Sequence, residues 1–502
     1  MRVCLIMEGS YPYITGGVSA WVHDLIRGLP DIDFCIFSLS PESDQELRYE
    51  LPPNVVEHRD VVITEIPRRT KRPRNKRALM EAVGSFHHGA FAGGTPDLTK
   101  LIEHLDEGVY LHRLAVESDT GWELITESNR SHNPLYPFAD YFWAWKSAHD
   151  MLFTVLGATP PDADVYHAVS TGFAGLAATA ARIRRTRPFL LTEHGLYHKE
   201  RDMEIRKTRF IRGYQRDMWT HLYNAFSRLA YRHADLTVTL FEANRRLEIE
   251  MGCPPERAIV VPNGIDVEKF TAVQRTEKEH FSVGLVGRVV PIKDIKTYIA
   301  TAKTVLDRIP TARFYCIGPT DEDPAYYDEC TALTERLGID DRFIFTGRQN
   351  VLEYYAFLDV LLLTSVREAQ PLVILEAYCA GVPAVATRVG NVPELLDYDD
   401  RFIASPKDSD GLAEAIIYIH DHPEEMRELV ARNRQRALRF YDKKQLHQRY
   451  GDLYRRLATP AGRTDQSAAD TPADRTDQHE AAAPQPAPDQ SEAAAEPATG
   501  ET

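Results

Sequence analysis

Leu358-Asp359-Val360-Leu361-Leu362-Leu363-Thr364-Ser365, followed two residues later by Glu368-Ala369-Gln370-Pro371-Leu372-Val373-Ile374-Leu375-Glu376, is the stretch on which the architecture turns. The first part is short, apolar and nearly uninterrupted, as a strand buried on both faces of a parallel sheet must be. Its continuation turns into an apolar helix, so two glutamates eight positions apart lie at the strand's carboxyl end and in the first helical turns beyond it. Open α/β sheets bind ligands at that place. The loop aims backbone N–H groups and the positive end of the helix dipole at an anion, while the carboxylates accept hydrogen bonds from neutral hydroxyls. A phosphate beside two hydroxyl-seeking carboxylates is what a sugar nucleotide presents. The plainer reading is a helix cap at Glu368 and a solvated Glu376.

Other segments supply the remaining parts of the same ligand site. Val283-Gly284-Leu285-Val286-Gly287-Arg288-Val289-Val290-Pro291-Ile292-Lys293 is an apolar strand ending in Gly-Arg, with a lysine five residues after the arginine. Arg288 can fork onto a diphosphate and Lys293 can add a point charge. Near the amino terminus, Met1–Met7 reads as a first strand and Thr15-Gly16-Gly17-Val18-Ser19-Ala20-Trp21 as a glycine turn opening a helix. Adjacent glycines let a backbone come close to phosphate.

Apolar strand-like runs alternate with longer amphipathic stretches in both halves, predicting βαβ units and parallel sheets. In the first half they are Val3–Met7, Asp33–Leu39, Val165–Val169, Phe189–Thr192, Leu236–Leu240 and Ala258–Val261. In the second they are Ser282–Val286, Arg313–Ile317, Arg342–Phe345, Val360–Thr364 and Pro383–Thr387. The chain turns polar between Val267 and Lys278, which places a boundary between a domain over 1–270 and a second over 279–442, followed by a helical stretch over 443–458. From about 67 to 150 the alternation breaks into a mostly helical insertion that opens with the basic run Arg68, Arg69, Lys71, Arg72, Arg74, Lys76 and Arg77. Such a run suits an anionic membrane surface or acidic partner, or is a solvated arm. It lacks interleaved aromatic residues, and nucleic acid is not expected as a partner. The cluster Tyr136, Phe138, Tyr141, Phe142, Trp143 and Trp145 reads as core packing, with a carbohydrate-stacking wall as the alternative.

The 502 residues are 43% hydrophobic and 26% charged, ordinary for a globular chain and too many for one compact domain. Of the formal charge of −15, the stretch 459–502 carries nine acidic residues against Arg463 and Arg475. That stretch has no aromatic residue and is expected to be a disordered tail. Cys4, Cys35, Cys253, Cys316, Cys330 and Cys379 show no metal-ligand spacing and read as reduced packing residues. Without an export signal or a run of 18 apolar residues, a cytoplasmic location is expected, with recruitment to the inner face of the cytoplasmic membrane left open to the basic run.

The order of these motifs resembles the GT-B retaining glycosyltransferases of family 4. The E-x7-E element from Glu368 to Glu376, Gly287-Arg288 with Lys293, Pro262-Asn263-Gly264-Ile265-Asp266 and Val389-Gly390-Asn391-Val392-Pro393-Glu394 match that family's second half, and the likeness runs from Met1 to about Leu457. Glu8-Gly9-Ser10-Tyr11-Pro12-Tyr13-Ile14-Thr15-Gly16-Gly17-Val18-Ser19-Ala20-Trp21 and Thr192-Glu193-His194-Gly195-Leu196-Tyr197 look more closely like the glycosyltransferases of the Pel exopolysaccharide system. The resemblance implies two Rossmann-like domains facing across a cleft, with the terminal helix crossing back onto the first.

It further implies transfer of a hexosyl unit, with retention, from a UDP-sugar such as UDP-glucose or a UDP-N-acetylhexosamine to a growing polysaccharide acceptor, beside membrane-embedded Pel complex subunits. Glu376 would hold ribose hydroxyls, and Glu368 with the backbone of Ala369 and Gln370 the donor hexose. The amides of Leu372 and Val373, with Arg288, Lys293 and the backbone of Gly16 and Gly17, would face the diphosphate. His194 would lie beside the anomeric centre, and Arg348 by the nucleobase. No metal or other cofactor is expected: Asp321-Glu322-Asp323 sits in an acidic loop taken to stand away from the ligand-facing loop, and the two cations make a divalent ion redundant. Asp294 after Lys293, and Ala369-Gln370, depart from the family pattern. Another GT-B sugar synthase and a non-catalytic nucleotide-sugar-binding regulator are the alternatives.

Overall fold

The computed structural model describes residues 1–132, 137–208 and 213–459. The tail from Pro460 onward, expected to be disordered, and Tyr136 lie outside the described residues. Among the described residues, thirteen strands form two sheets. The first takes β1 (Arg2–Glu8), β2 (Asp33–Ser40), β3 (Val55–Val62), β4 (Val165–Ala168), β5 (Phe189–Glu193), β6 (Leu236–Thr239) and β7 (Ala258–Val260) in the order β3-β2-β1-β4-β5-β6-β7. The second takes β8 (Ser282–Val286), β9 (Arg313–Ile317), β10 (Phe343–Gly347), β11 (Val360–Leu363), β12 (Ala384–Thr387) and β13 (Ile403–Ala404) in the order β10-β9-β8-β11-β12-β13. Every pairing is parallel. Strand order reverses between β1 and β4 and again between β8 and β11. Each reversal opens a crevice at the strands' carboxyl ends.

The apolar runs became strands because both faces of each sheet are covered. In β1, Cys4 and Ile6 join one core and Val3, Leu5 and Met7 another. The insertion covers the first face: the helices Lys76–Phe91 and Phe138–Gly157 bury Met80, Val83, Phe86, Tyr141 and Trp145 there. Trp143 stays 63% exposed, so the aromatic cluster divides between core and surface. The second face is closed by the helix Gly17–Gly28 and by Lys443–Ala458, which contributes Leu446, Tyr450 and Tyr454. Two strands were not foreseen. Val55–Val62 carries Glu57-His58-Arg59-Asp60 in its middle because it is an edge strand, and Ile403–Ala404 is only two residues long.

The chain passes between the halves twice, and the two passages pair. Ile265 N–H donates to Tyr441 O at 2.8 Å, and Lys443 N–H donates to Ile265 O at 2.9 Å. A Cβ at Gly264 would stand 2.7 Å from the Lys443 backbone, so only glycine permits this approach. Ile265, Val267 and Phe270 already pack in the second core. All six cysteines are free and buried.

Candidate active site

Parallel strands end on one side of a sheet, so the loops after β8 and β11 meet. Lys293 Nζ donates to Glu368 Oε1 at 2.5 Å, and the Ser365 hydroxyl donates to the same oxygen at 2.8 Å. Both charged side chains are only 18% exposed. The Thr364 hydroxyl holds Lys293 O at 2.7 Å, tying the two loops below the ion pair. Gly390, after β12, backs this loop: its φ is +50°, and a Cβ there would lie 2.2 Å from Ala369 O and 2.3 Å from Glu368 O. Asn391 N–H also holds Ala369 O at 3.0 Å.

The helix Leu372–Cys379 begins at Pro371, with the N–H groups of Leu372 and Val373 in its first turn. Glu376 lies one turn further, where Tyr355 Oη donates to its Oε2 at 3.2 Å and burial raises its pKa. Gln370 does something the sequence did not reveal. Its side-chain amide pairs with the Asn263 backbone, accepting from N–H at 2.8 Å and donating to the carbonyl at 3.1 Å, which fastens the loop to the passage between halves.

Arg288 follows β8 and donates to Glu322 Oε2 at 2.8 Å, with 55% of its side chain exposed. This corrects the expectation that the acidic loop stands apart: it follows β9, the immediate neighbour of β8, and so ends at the same edge. Arg348 is exposed at the end of β10, two strands from β8 and thus roughly 10 Å away in strand spacing. It makes no ion pair among the described residues. No group of three His, Cys, Asp or Glu side chains is poised to hold a metal ion among the described residues.

From the first half, Gly16 and Gly17 open the helix after β1 with nothing within 4 Å of where a Cβ would be, leaving free space before the helix. Four residues on, the Trp21 ring stands edge-on to His194 at 4.6 Å between centroids. His194 follows β5, its Nε2 is buried without a hydrogen-bond partner, and burial lowers its pKa to about 4, so the ring is neutral at pH 7. Between the halves lies a cavity of about 480 Å³, lined on one side by Gly195, Leu196, Lys199, Glu200, Met203, Phe241 and Asn244, and on the other by Ile292, Arg367, Glu368, Ala369 and Gly390. Arg367 reaches across toward Met203 Sδ at 3.8 Å. Sequence reading missed Ser365, Tyr355, Arg367 and Trp21; Ser365 is only three residues from Glu368, whereas the other three act across gaps that no local motif spans.

Two Rossmann-like halves of parallel sheet with a cavity between their strand ends define the GT-B class. Over 91% of this chain and the whole of the other, HepE of Anabaena in complex with UDP superposes with a TM-score of 0.59 at 16% identity. Sucrose-phosphate synthase of Thermosynechococcus elongatus superposes over 91% and 98% with a TM-score of 0.56 at 17% identity. Residues 1–256, just over half the chain, match a domain of unknown function, DUF3492, and the chain belongs to that family. Residues 280–422 match the glycosyl transferases group 1 family. The N-acetyl-alpha-D-glucosaminyl L-malate synthase of Bacillus anthracis is 27% identical over 43% of this chain and 56% of its own length. The sulfoquinovosyl transferase SQD2 of Arabidopsis thaliana is 27% identical over 56% and 54%. The chain thus spans about half the length of these curated relatives.

Proposed function

We propose that this protein is a nucleotide-sugar glycosyltransferase that moves a hexosyl unit from a UDP-sugar to a polysaccharide acceptor with retention. The observation carrying this reading is the Lys293–Glu368 pair at the second switch point, whose Glu368 lines the cavity opposite Gly195 and Leu196, the two residues that follow His194. A cation and a hydroxyl acceptor, each mostly enclosed, neutralise one another until a ligand supplies a diphosphate to one and sugar hydroxyls to the other. Arg288 would exchange Glu322 for the diphosphate, joined by the first-turn amides of Leu372 and Val373 and, from across the cleft, the backbone of Gly16 and Gly17. Glu376, steadied by Tyr355, would take the ribose, and Arg348 the base side. Ala369 and Gln370 would act on the donor sugar through their backbone, since the Gln370 amide already holds Asn263.

In this scheme the departing diphosphate deprotonates the acceptor hydroxyl on the face it leaves, so no enzymic nucleophile is required. Neutral His194 would stabilise the sugar by hydrogen bonding. The cationic charge comes from Arg288 and Lys293, and we expect no metal requirement. The segments Glu8–Trp21 and Thr192–Tyr197 resemble those of PelF, supporting a place in Pel-type exopolysaccharide synthesis with membrane-embedded partners. No helix among the described residues is long and apolar enough to cross a membrane. Recruitment would therefore fall to the exposed basic run from Arg68 to Arg77.

Calorimetry with a panel of UDP-, GDP- and ADP-sugars in excess chelator, followed by NMR of the product, tests this. Binding of a UDP-hexose with an α-configured product supports it. Absence of binding to the whole panel refutes it.

A further inference from the structure

Glu193 closes β5 and immediately precedes His194, and its side chain has no exposed surface. Its Oε1 accepts from the Thr171 hydroxyl at 3.0 Å and from Tyr197 N–H at 3.3 Å, and its Oε2 from the Tyr231 hydroxyl. One carboxyl therefore ties both ends of the turn from Glu193 to Tyr197 to the loop after β4 and to the helix Gly213–His233. The middle of that turn, Gly195 and Leu196, lines the cavity. A second carboxylate pins the same turn from outside: Glu8 Oε1 accepts from Tyr197 Oη at 2.7 Å, and its Oε2 accepts from Phe173 N–H at 2.8 Å.

Next to Glu193 is Glu248 of the helix Glu242–Glu250, equally without exposed surface, with the Thr239 hydroxyl beside its carboxyl. The groups facing the two carboxyls are Tyr231, Tyr197, Glu200, Cys253, Thr239 and Arg245. Only Arg245 is a cation, and its guanidinium already donates to the carbonyls of Ala258 and Pro255 and to Glu242. Two buried carboxylates without a cation of their own cannot both be charged.

We propose that Glu193 is the positioning residue for His194, and that Glu248 lies next to it as a neutral acid, so that the pair carries a single charge on the carboxyl that pins the turn. The positioning role rests on the glycosyltransferase reading; the singly charged pair does not. Burial raises Glu193 to about 7, and burial together with the Glu193 charge raises Glu248 to about 9. Three donors favour the ionised form of Glu193, so the turn is held tightest above pH 7 and loosens as the pH falls below it.

The full chain is tested in two ways. With the UDP-sugar that the wild type turns over, kcat rises with pH through about 7. Glu193→Gln loses that limb and at least tenfold in kcat, with UDP affinity by calorimetry unchanged. Tyr231→Phe and Thr171→Val each remove one donor and shift the limb to higher pH, which keeps the test open if Glu193→Gln folds poorly. An unaltered kcat and pH profile in these variants overturns the positioning role. Without substrate, both raised carboxyls make the folded state hold protons that the unfolded state releases, so what this pair contributes to stability falls as pH rises from about 4.5 to 9. Glu248→Gln therefore melts higher than wild type at pH 9 and within error of it at pH 5; equal melting at pH 9 overturns the pair. If the wild type turns over no UDP-sugar, the parent reading and the positioning role fail together, and the pair stands or falls on the melting curves.

Discussion

At the scale of single residues, the Lys293–Glu368 pair couples stability to chemistry. Lys293→Ala leaves Glu368 mostly enclosed with only Ser365 as donor. It should lower kcat by about 2–4 kcal/mol in barrier terms, read from steady-state kinetics, and lower stability as well. Glu376→Ala should instead weaken UDP binding by about 1.5–3 kcal/mol, read by calorimetry, because its carboxylate is a hydrogen-bond acceptor in a half-buried position. Gln370→Ala strands both polar groups of the Asn263 backbone, and a loss of about 1–3 kcal/mol should appear in the denaturant midpoint. Glu368 and Glu376 were legible because strand, loop and helix follow one another in the chain. The Gln370–Asn263 link was not, since 107 positions separate the two residues and nothing local marks an amide as paired.

At the scale of elements, the loop after β11 owes its shape to a neighbouring loop. Gly390→Ala would place a methyl carbon 2.2 Å from Ala369 O at a backbone φ of +50°. The chain should fold and lose at least about tenfold in kcat as Glu368 shifts, by the sensitivity of catalysis to ångström displacements; an unchanged kcat would show that the loop tolerates the displacement. Central strands were readable as continuous apolar runs because both faces are covered. The edge strand β3 was not, since an edge exposes polar residues and erases the run. Glu8 and Glu193, the last residues of β1 and β5, obey the strand-end rule that identified Glu368. They are turned inward against Tyr197 rather than toward the cavity, and that orientation is decided by packing.

At the scale of the whole molecule, buried histidines set the acid limit. His149, His194 and His198 are lowered to about 4 and His167 to about 3, in each case first by burial. Their unfolded forms take up protons near pH 6.5, so the stability they contribute is complete above that value and is lost as pH falls toward 4. Unfolding at pH 5 should let these four residues take up nearly four protons, offset in the net slope of stability against pH by the protons that Glu193 and Glu248 release. The terminal helix is part of the same balance: His167 bonds the Tyr454 hydroxyl at 2.7 Å, and Thr192 bonds that of Tyr450 at 3.0 Å. Alternating strands and helices, the parallel class of both sheets and the loops that carry charge were written in the order of residue types, because hydrophobic period and strand ends are local properties. Which charges meet, which carboxyls keep a proton and which passage the Gln370 amide fastens depended on the folded chain, because ion pairing and desolvation are set by distances between residues far apart in the sequence.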